Sequence, residues 1–471
     1  MWWSLLKRRA RQIWQAPRII GAALLVYVAV LVLVDVSRDG DIYGYHERAC
    51  VALSSSMGAM YQNEAVEYPP GAIYLIVGVG RLASRLPDVA DQLGWFRIYN
   101  VRRDMRTYKF LFRFGMMLAA LGCGAIILRR VTDVDAQETI GDQRLRASFY
   151  AFALFGMRHV AYDRLDMLVG FALIAALELV NSERYKAAIV VLALGTAYKL
   201  VPALLLPFLL VRVAVAQQEC GWRRVFRWQL MLLALFTITL VGAMLPAYLV
   251  GGERSFAFWS YHKQRGIEFG SAWAAVSGVL KHVAEIPTQL HLQFGSADVQ
   301  SLASPTLIAL ATILVPIGLL LILASTWRGL RAADDDAARR RVMRLHAALA
   351  VLWFLLTNKV FSPQYMLWLI PLCPLVPLAR VRRNWFFAGV MAACVLTELA
   401  YPDLYGFFIG PKSADRIAEG PTLVGTCLPG LRALTLISLI VLLGHEASKA
   451  AAKESEESLT KPELMPSLRA A

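Results

Sequence analysis

Apolar runs and short basic connections alternate along most of this chain. Runs of about 18 or more residues with few charges are long enough to cross a bilayer as helices. The clearest lie at 17–36, 108–128, 228–250, 305–325 and 424–443. Shorter runs near 345–360, 364–379 and 385–400 read as further spans. Residues 148–180 read as two short apolar helices around a polar tip, RHVAYDRLD, and residues 187–215 repeat the arrangement around Lys199 and Pro202. The piece GAIYLIVGVG, which follows Pro69 and Pro70, is shorter than a helix needs to cross about 30 Å. Either it dips in and returns, or one of the hairpins is not a hairpin. The expected fold is all-α, a multi-pass transmembrane bundle of about ten to twelve spans with interfacial helices in its outer loops.

Charge orients this bundle. Lys7, Arg8, Arg9 and Arg11 precede the first run and Arg18 stands at its start, and further arginines fill the connections at 216–227, 327–344 and 380–383. Positive residues in short loops mark the cytoplasmic side, so both termini are expected in the cytoplasm of a plasma-membrane protein. Residues 37–68 and 251–303 then face outside. The net charge of +15 sits in these loops, which argues against nucleic acid as the partner. The chain is 58% hydrophobic and only 18% charged, with a mean hydropathy of +0.51, so a bilayer is its expected surroundings. Residues 1–444 form one transmembrane domain, and 445–471, rich in Ala, Glu, Ser and Lys, read as a disordered cytoplasmic tail. The six cysteines show no metal-ligand spacing and no cofactor is expected; Asp39 and Asp41 offer a place for a metal, but nothing in the sequence requires one. There is no P-loop and no dinucleotide fingerprint.

Candidate chemistry comes from polar residues that a membrane penalises by about 2.5–3.5 kcal/mol each. Arg158, Asp163, Arg164, Asp166, Lys199, Lys359 and Glu398 all fall at outer helix ends, near the loop that carries Asp39 and Asp41. Each taken singly could be a snorkelling end or a local ion pair. As a set they point to one site at the outer face. Lys199, in GTAYKLVPALLLP, is a lone ammonium beside a helix-breaking proline, an arrangement suited to a phosphate. The outer segment ERSFAFWSYHKQRGIE mixes aromatics with His262, Lys263 and Arg265. It reads as an interfacial helix, with a phosphate grip from Lys263 or Arg265 or a polar contact from His262 as its functional reading.

Taken in order, these pieces resemble a known family. DGDIYGYHERACVAL and Tyr68-Pro69-Pro70 come first, then YDRLDMLVGFALIAALELV, AYKLVPALLLP, RGIEFGSAW and KVFSPQYMLWLIPL. From about residue 15 to about residue 445 the chain resembles the polyprenyl-phosphate-sugar-dependent glycosyltransferases of the C-type fold, and in particular the mannosyltransferase-like glycosyltransferase family 87. The resemblance implies transfer of a hexose, mannose foremost, from a polyprenyl-phosphate donor to a lipid-linked or cell-envelope glycan at the outer membrane face. It implies that Asp41 is the general base, with Asp39 as the runner-up, and that Lys199 is the basic residue of the second hairpin. Gln364 and Tyr365 match the late outer turn, and Tyr43 and Tyr68 would offer a surface to the sugar. Asp163 and Arg164 stand where many relatives carry a Gly-Gln pair, which puts acceptor contacts there in question. A single base without a nearby nucleophile implies inversion. A transporter or flippase of lipid-linked sugars would also explain broken helices and buried charges, although the two halves show no internal repeat.

Overall fold

The computed structural model describes residues 40–63, 66–86, 103–134, 138–293, 295–406, 417–418 and 420–460. Asp39, the expected first span at 17–36 and the basic N-terminus lie outside these residues. The first half holds α1 (Gly40–Ser54), α2 (Met57–Asn63), α3 (Pro70–Arg85), α4 (Arg103–Arg130), α5 (Ile140–Phe155), α6 (Asp166–Asn181), α7 (Tyr185–Tyr198) and α8 (Leu206–Gln217). The second holds α9 (Trp222–Gly251), α10 (Ala257–Gln264), α11 (Ala272–Ala284), α12 (Ser304–Ala332), α13 (Asp336–Thr357), α14 (Arg380–Glu398) and α15 (Leu423–Thr460). The architecture is the helical membrane bundle that the apolar runs predict. Among the described residues, six helical stretches are long and apolar enough to cross a membrane: Met105–Asp133, Val201–Cys220, Trp222–Gln264, Ser304–Ala332, Arg380–Asp403 and Leu423–Lys449. Their outward faces are apolar. Ile238 on α9 is 70% exposed and Leu321 on α12 is 67% exposed, which water would penalise and acyl chains would not.

Both broken hairpins are present, and proline accounts for one of the breaks. Between α5 and α6 the chain turns irregularly through residues 156–165. After α7, Lys199 is extended (φ −156°, ψ 136°), and a 3-10 turn over Val201–Leu205 precedes α8. Pro202 and Pro207 lack the N–H that would continue the ladder and start the next helical pieces instead. The span expected at 364–379 is not a regular helix. It is a chain of short turns, Pro363–Tyr365, Met366–Leu369 and Cys373–Leu375. Pro371, Pro374 and Pro377 interrupt any longer helix, and the segment is buried in protein, where irregular backbone is tolerated. The piece after Pro70 is the 16-residue α3, about 24 Å long at 1.5 Å per residue. The last span continues as α15 to Thr460, into the stretch read as a disordered tail; alanine, glutamate and lysine there are good helix formers.

The loop over 251–303 holds more than the expected interfacial helix. The helix is there as α10, with Phe258 buried and Trp259 exposed. Beyond it lie β1 (Ile267–Glu268), α11, β2 (Thr288–Gln293) and β3 (Ser296–Ser301), joined by β4 (Ile417–Ala418) in an antiparallel sheet of order β1-β3-β2-β4. Ile267 faces Val299 and Glu268 faces Asp298 across the first pair. Ile267, Leu290, Ala297 and Val299 form a small core of their own with Phe269. This sheet was not expected from the apolar pattern, because its strands are short and largely polar.

Candidate active site

Buried ionic groups do not all converge. Asp163, expected in the site, pairs with the Arg113 guanidinium through two hydrogen bonds, one of them 2.6 Å, and both side chains are buried among α4 and the 156–165 turn. Glu398 pairs with His159. Lys359 donates to the backbone carbonyls of Lys263 and Arg265. These three tie segments together, as buried charges must when no water reaches them. Arg158 lines a separate groove with Phe152 and Phe155.

The remaining groups meet in one cleft. Its lining includes Asp41, Glu67, Tyr68, Arg164, Lys199, His262, Arg265, Glu268, Gln364, Tyr365 and Tyr401. Asp41 lies in the first turn of α1, where the helix dipole favours a carboxylate. It is ion-paired with Arg164, whose guanidinium also donates to the Tyr401 hydroxyl at 3.3 Å. Tyr45 sits four residues on, so it shares the face of Asp41, and its hydroxyl meets that of Tyr68 at 3.2 Å. Tyr43 is on the opposite side of α1, is 40% exposed and does not line the cleft, contrary to expectation. A position two residues along a helix is turned by about 200°.

Lys199 is not the lone ammonium that its apolar flanks suggest. Its Nζ donates to Asp166 Oδ1 at 2.7 Å, and the same oxygen accepts from Trp368 Nε1 at 2.7 Å. The ammonium also lies 5.3 Å from the Tyr365 ring and 5.4 Å from that of Trp368, within cation–π range. Those two rings stack at 4.0 Å. The pairing arises because α6 begins at Asp166 beside the break that ends α7, a proximity across 33 residues that hydropathy does not report.

The 251–303 loop closes the other side. Arg265 is buried and donates to Ser296 Oγ at 2.6 Å, while its Nε has no hydrogen-bond partner among the described residues. Gln364 Oε1 is likewise buried and unpartnered. Burial, reinforced by Lys199 and Arg265, depresses the His262 pKa to about 4, so its ring is neutral at physiological pH. Glu67 accepts from the Tyr261 hydroxyl at 2.8 Å. Glu268, in β1, is buried and accepts from the Phe361 backbone N–H at 3.0 Å. Neither Glu67 nor Glu268 is a candidate on apolar pattern alone. Their one signal is a glutamate close to an aromatic residue in each of the two long polar loops.

The cleft therefore presents carboxylates, buried cations and aromatic faces to one volume at the end of a membrane bundle. The class of protein this defines is a polytopic membrane protein with a polar, cationic cleft. No protein-family model matches the chain, and none of the curated proteins matches it. Among solved structures it is similar to the crystal structure of ArnT from Cupriavidus metallidurans bound to undecaprenyl phosphate, at a TM-score of 0.41 and 14% identity, over 94% of this chain and 79% of that one. That degree of overlap leaves the functional reading to rest on the residues of the cleft.

Proposed function

We propose that the protein is a membrane glycosyltransferase that moves a hexose, mannose foremost, from a polyprenyl-phosphate donor to a lipid-linked or cell-envelope glycan at the outer face. The observation that supports this best is the meeting of Asp41 with Arg164, Lys199 and Arg265 in one cleft. A lipid-borne sugar phosphate needs cations for the departing phosphate, a base for the acceptor hydroxyl and aromatic surface for the sugar ring. In the step proposed, the acceptor oxygen bonds to the anomeric carbon. The bond from that carbon to the phosphate oxygen breaks, and its electron pair stays on the phosphate. The acceptor's proton passes to Asp41, and one displacement inverts the anomeric centre. Arg265, a buried guanidinium that lines the cleft, meets the phosphate in this reading. Lys199 adds a second positive charge, and Arg164 orients the base.

The test is chemical. Mass spectrometry of glycolipids and envelope glycans from cells with and without the protein should show one hexose lost from one species. Purified protein in liposomes should then restore it from polyprenyl-phosphate hexose. Unchanged glycans, together with sugar lipid moved across the bilayer without transfer, would replace this reading with a flippase.

A further inference from the structure

Glu268 takes no part in the step just described, yet it is a carboxylate placed inside a wall of cations. It lies in β1 and lines the cleft. Its Oε2 accepts from the Phe361 N–H at 3.0 Å, and its own N–H donates to the Lys359 carbonyl at 3.0 Å, so the strand grips the 359–361 segment on both sides. Arg265 and Arg432 face it from α10's end and from α15, both buried, yet neither forms an ion pair with it within 4 Å. Arg432 is committed elsewhere, donating to the Gly270 carbonyl and stacking 3.7 Å over Phe361. Arg265 keeps an unpartnered Nε. Asp298 stands opposite Glu268 in the β1–β3 pairing, Tyr365 and Tyr405 are the other titratable groups that face it, and Lys359 is joined to it through the backbone.

A carboxylate that is near these cations but not bonded to them lowers the field they project into the cleft. It leaves the Arg265 Nε–H without a partner among the described residues. The penalty it imposes on a bound anion grows with the anion's charge. Under the reading above, the donor is a phosphate diester with one negative charge. The spent lipid is a phosphate monoester, which approaches two negative charges above its second pKa of about 6. We propose that Glu268 makes the cleft prefer the sugar-bearing diester to the monoester, so that the spent lipid phosphate leaves and does not block the site. This rests on the lipid-phosphate reading of the cleft.

The experiment measures binding to full-length protein in nanodiscs at about pH 8, where both Glu268 and the monoester are ionised. The probes are polyprenyl phosphate and its methyl diester. Glu268→Gln keeps an acceptor for the Phe361 N–H and removes the charge. It should tighten the monoester relative to the diester by about tenfold, the size expected when one unit charge acts on one further unit charge across a partly screened cleft. An unchanged ratio overturns the proposal. If the variant does not fold, the wild-type protein answers with an alkyl sulfate, whose single charge does not titrate. Burial pushes the Glu268 pKa up to about 7 while His262 stays neutral, so sulfate affinity should fall as pH rises through about 7. A flat profile overturns the proposal as well. If the wild-type protein binds neither phosphate, the lipid-phosphate reading itself fails, and the proposal falls with it.

Discussion

Replacing Lys199 by Gln should do two separable things. The side chain is 12% exposed and its partner Asp166 is 2% exposed, so the pair is shielded from water. Removing the ammonium leaves Asp166 buried with Trp368 as its remaining side-chain donor. Stranding one partner of a buried pair costs about 3–5 kcal/mol, and the surviving indole hydrogen bond puts this case near about 3. The variant should therefore unfold more easily, which a lysine merely reaching for interfacial water would not cause. Asp166→Asn in the Lys199→Gln background removes the stranded charge, and Asn can still accept from the indole. Stability should then return to within about 1 kcal/mol of the wild type. Donor affinity should not return, because a charge-assisted contact to phosphate is worth about 1.5–3 kcal/mol, a factor of ten or more. Thermal unfolding in detergent and donor titration on all four members of the cycle separate the two effects. A Lys199→Gln protein as stable as the wild type would refute the ion-pair argument. Full recovery of donor affinity in the double variant would leave Lys199 a purely structural residue.

Three further outcomes are expected. Asp41→Asn should lower the transfer rate by about 10²–10⁴-fold with a small change in stability, measured as sugar released from labelled donor; near-wild-type turnover, with Asp39→Asn inactive, would move the base to Asp39. Gly318→Ala should destabilise the bundle by about 1–3 kcal/mol, seen as a lowered unfolding temperature, because a methyl group there would fall 1.9 Å from the Trp353 ring; an unchanged temperature would mean the ring moves freely. In a background without the native cysteines, a membrane-impermeant thiol reagent on intact cells should label a cysteine at position 56 and spare one at 336, and the reverse pattern would invert the orientation.

Much of the bundle was legible because membrane burial is a one-dimensional property. Each span must be apolar over its own length, so α4, α9, α12 and α15 fall on runs visible without any partner. The same holds for the helix break at Lys199, since proline acts on its own backbone and on the turn before it. The run at 364–379 misled because apolar character reports burial without saying whether lipid or protein does the burying. Its prolines made it irregular, and neighbouring helices cover it. The sheet was hidden for a different reason: strands of two to six residues with polar faces carry almost no periodic signal.

For the cleft, composition and order along the chain marked residues that are out of place in a membrane, and of those only some meet in one place. Asp41, Tyr68, Arg164, Lys199, His262, Arg265, Gln364 and Tyr365 all line the same volume. Pairing was decided only in three dimensions. Asp163 went to Arg113, Lys199 to Asp166 and Asp41 to Arg164, across separations from 33 to 123 residues. The cost of an unpaired charge in a dry interior forces each group to find a partner, but many partners are available to a chain read in one dimension. Only the packing of α1, α4, α6 and α7 with the 156–165 turn and the 251–303 loop selects among them, and that selection leaves the Arg265 Nε without a partner among the described residues and Glu268 without an arginine in direct ion pairing.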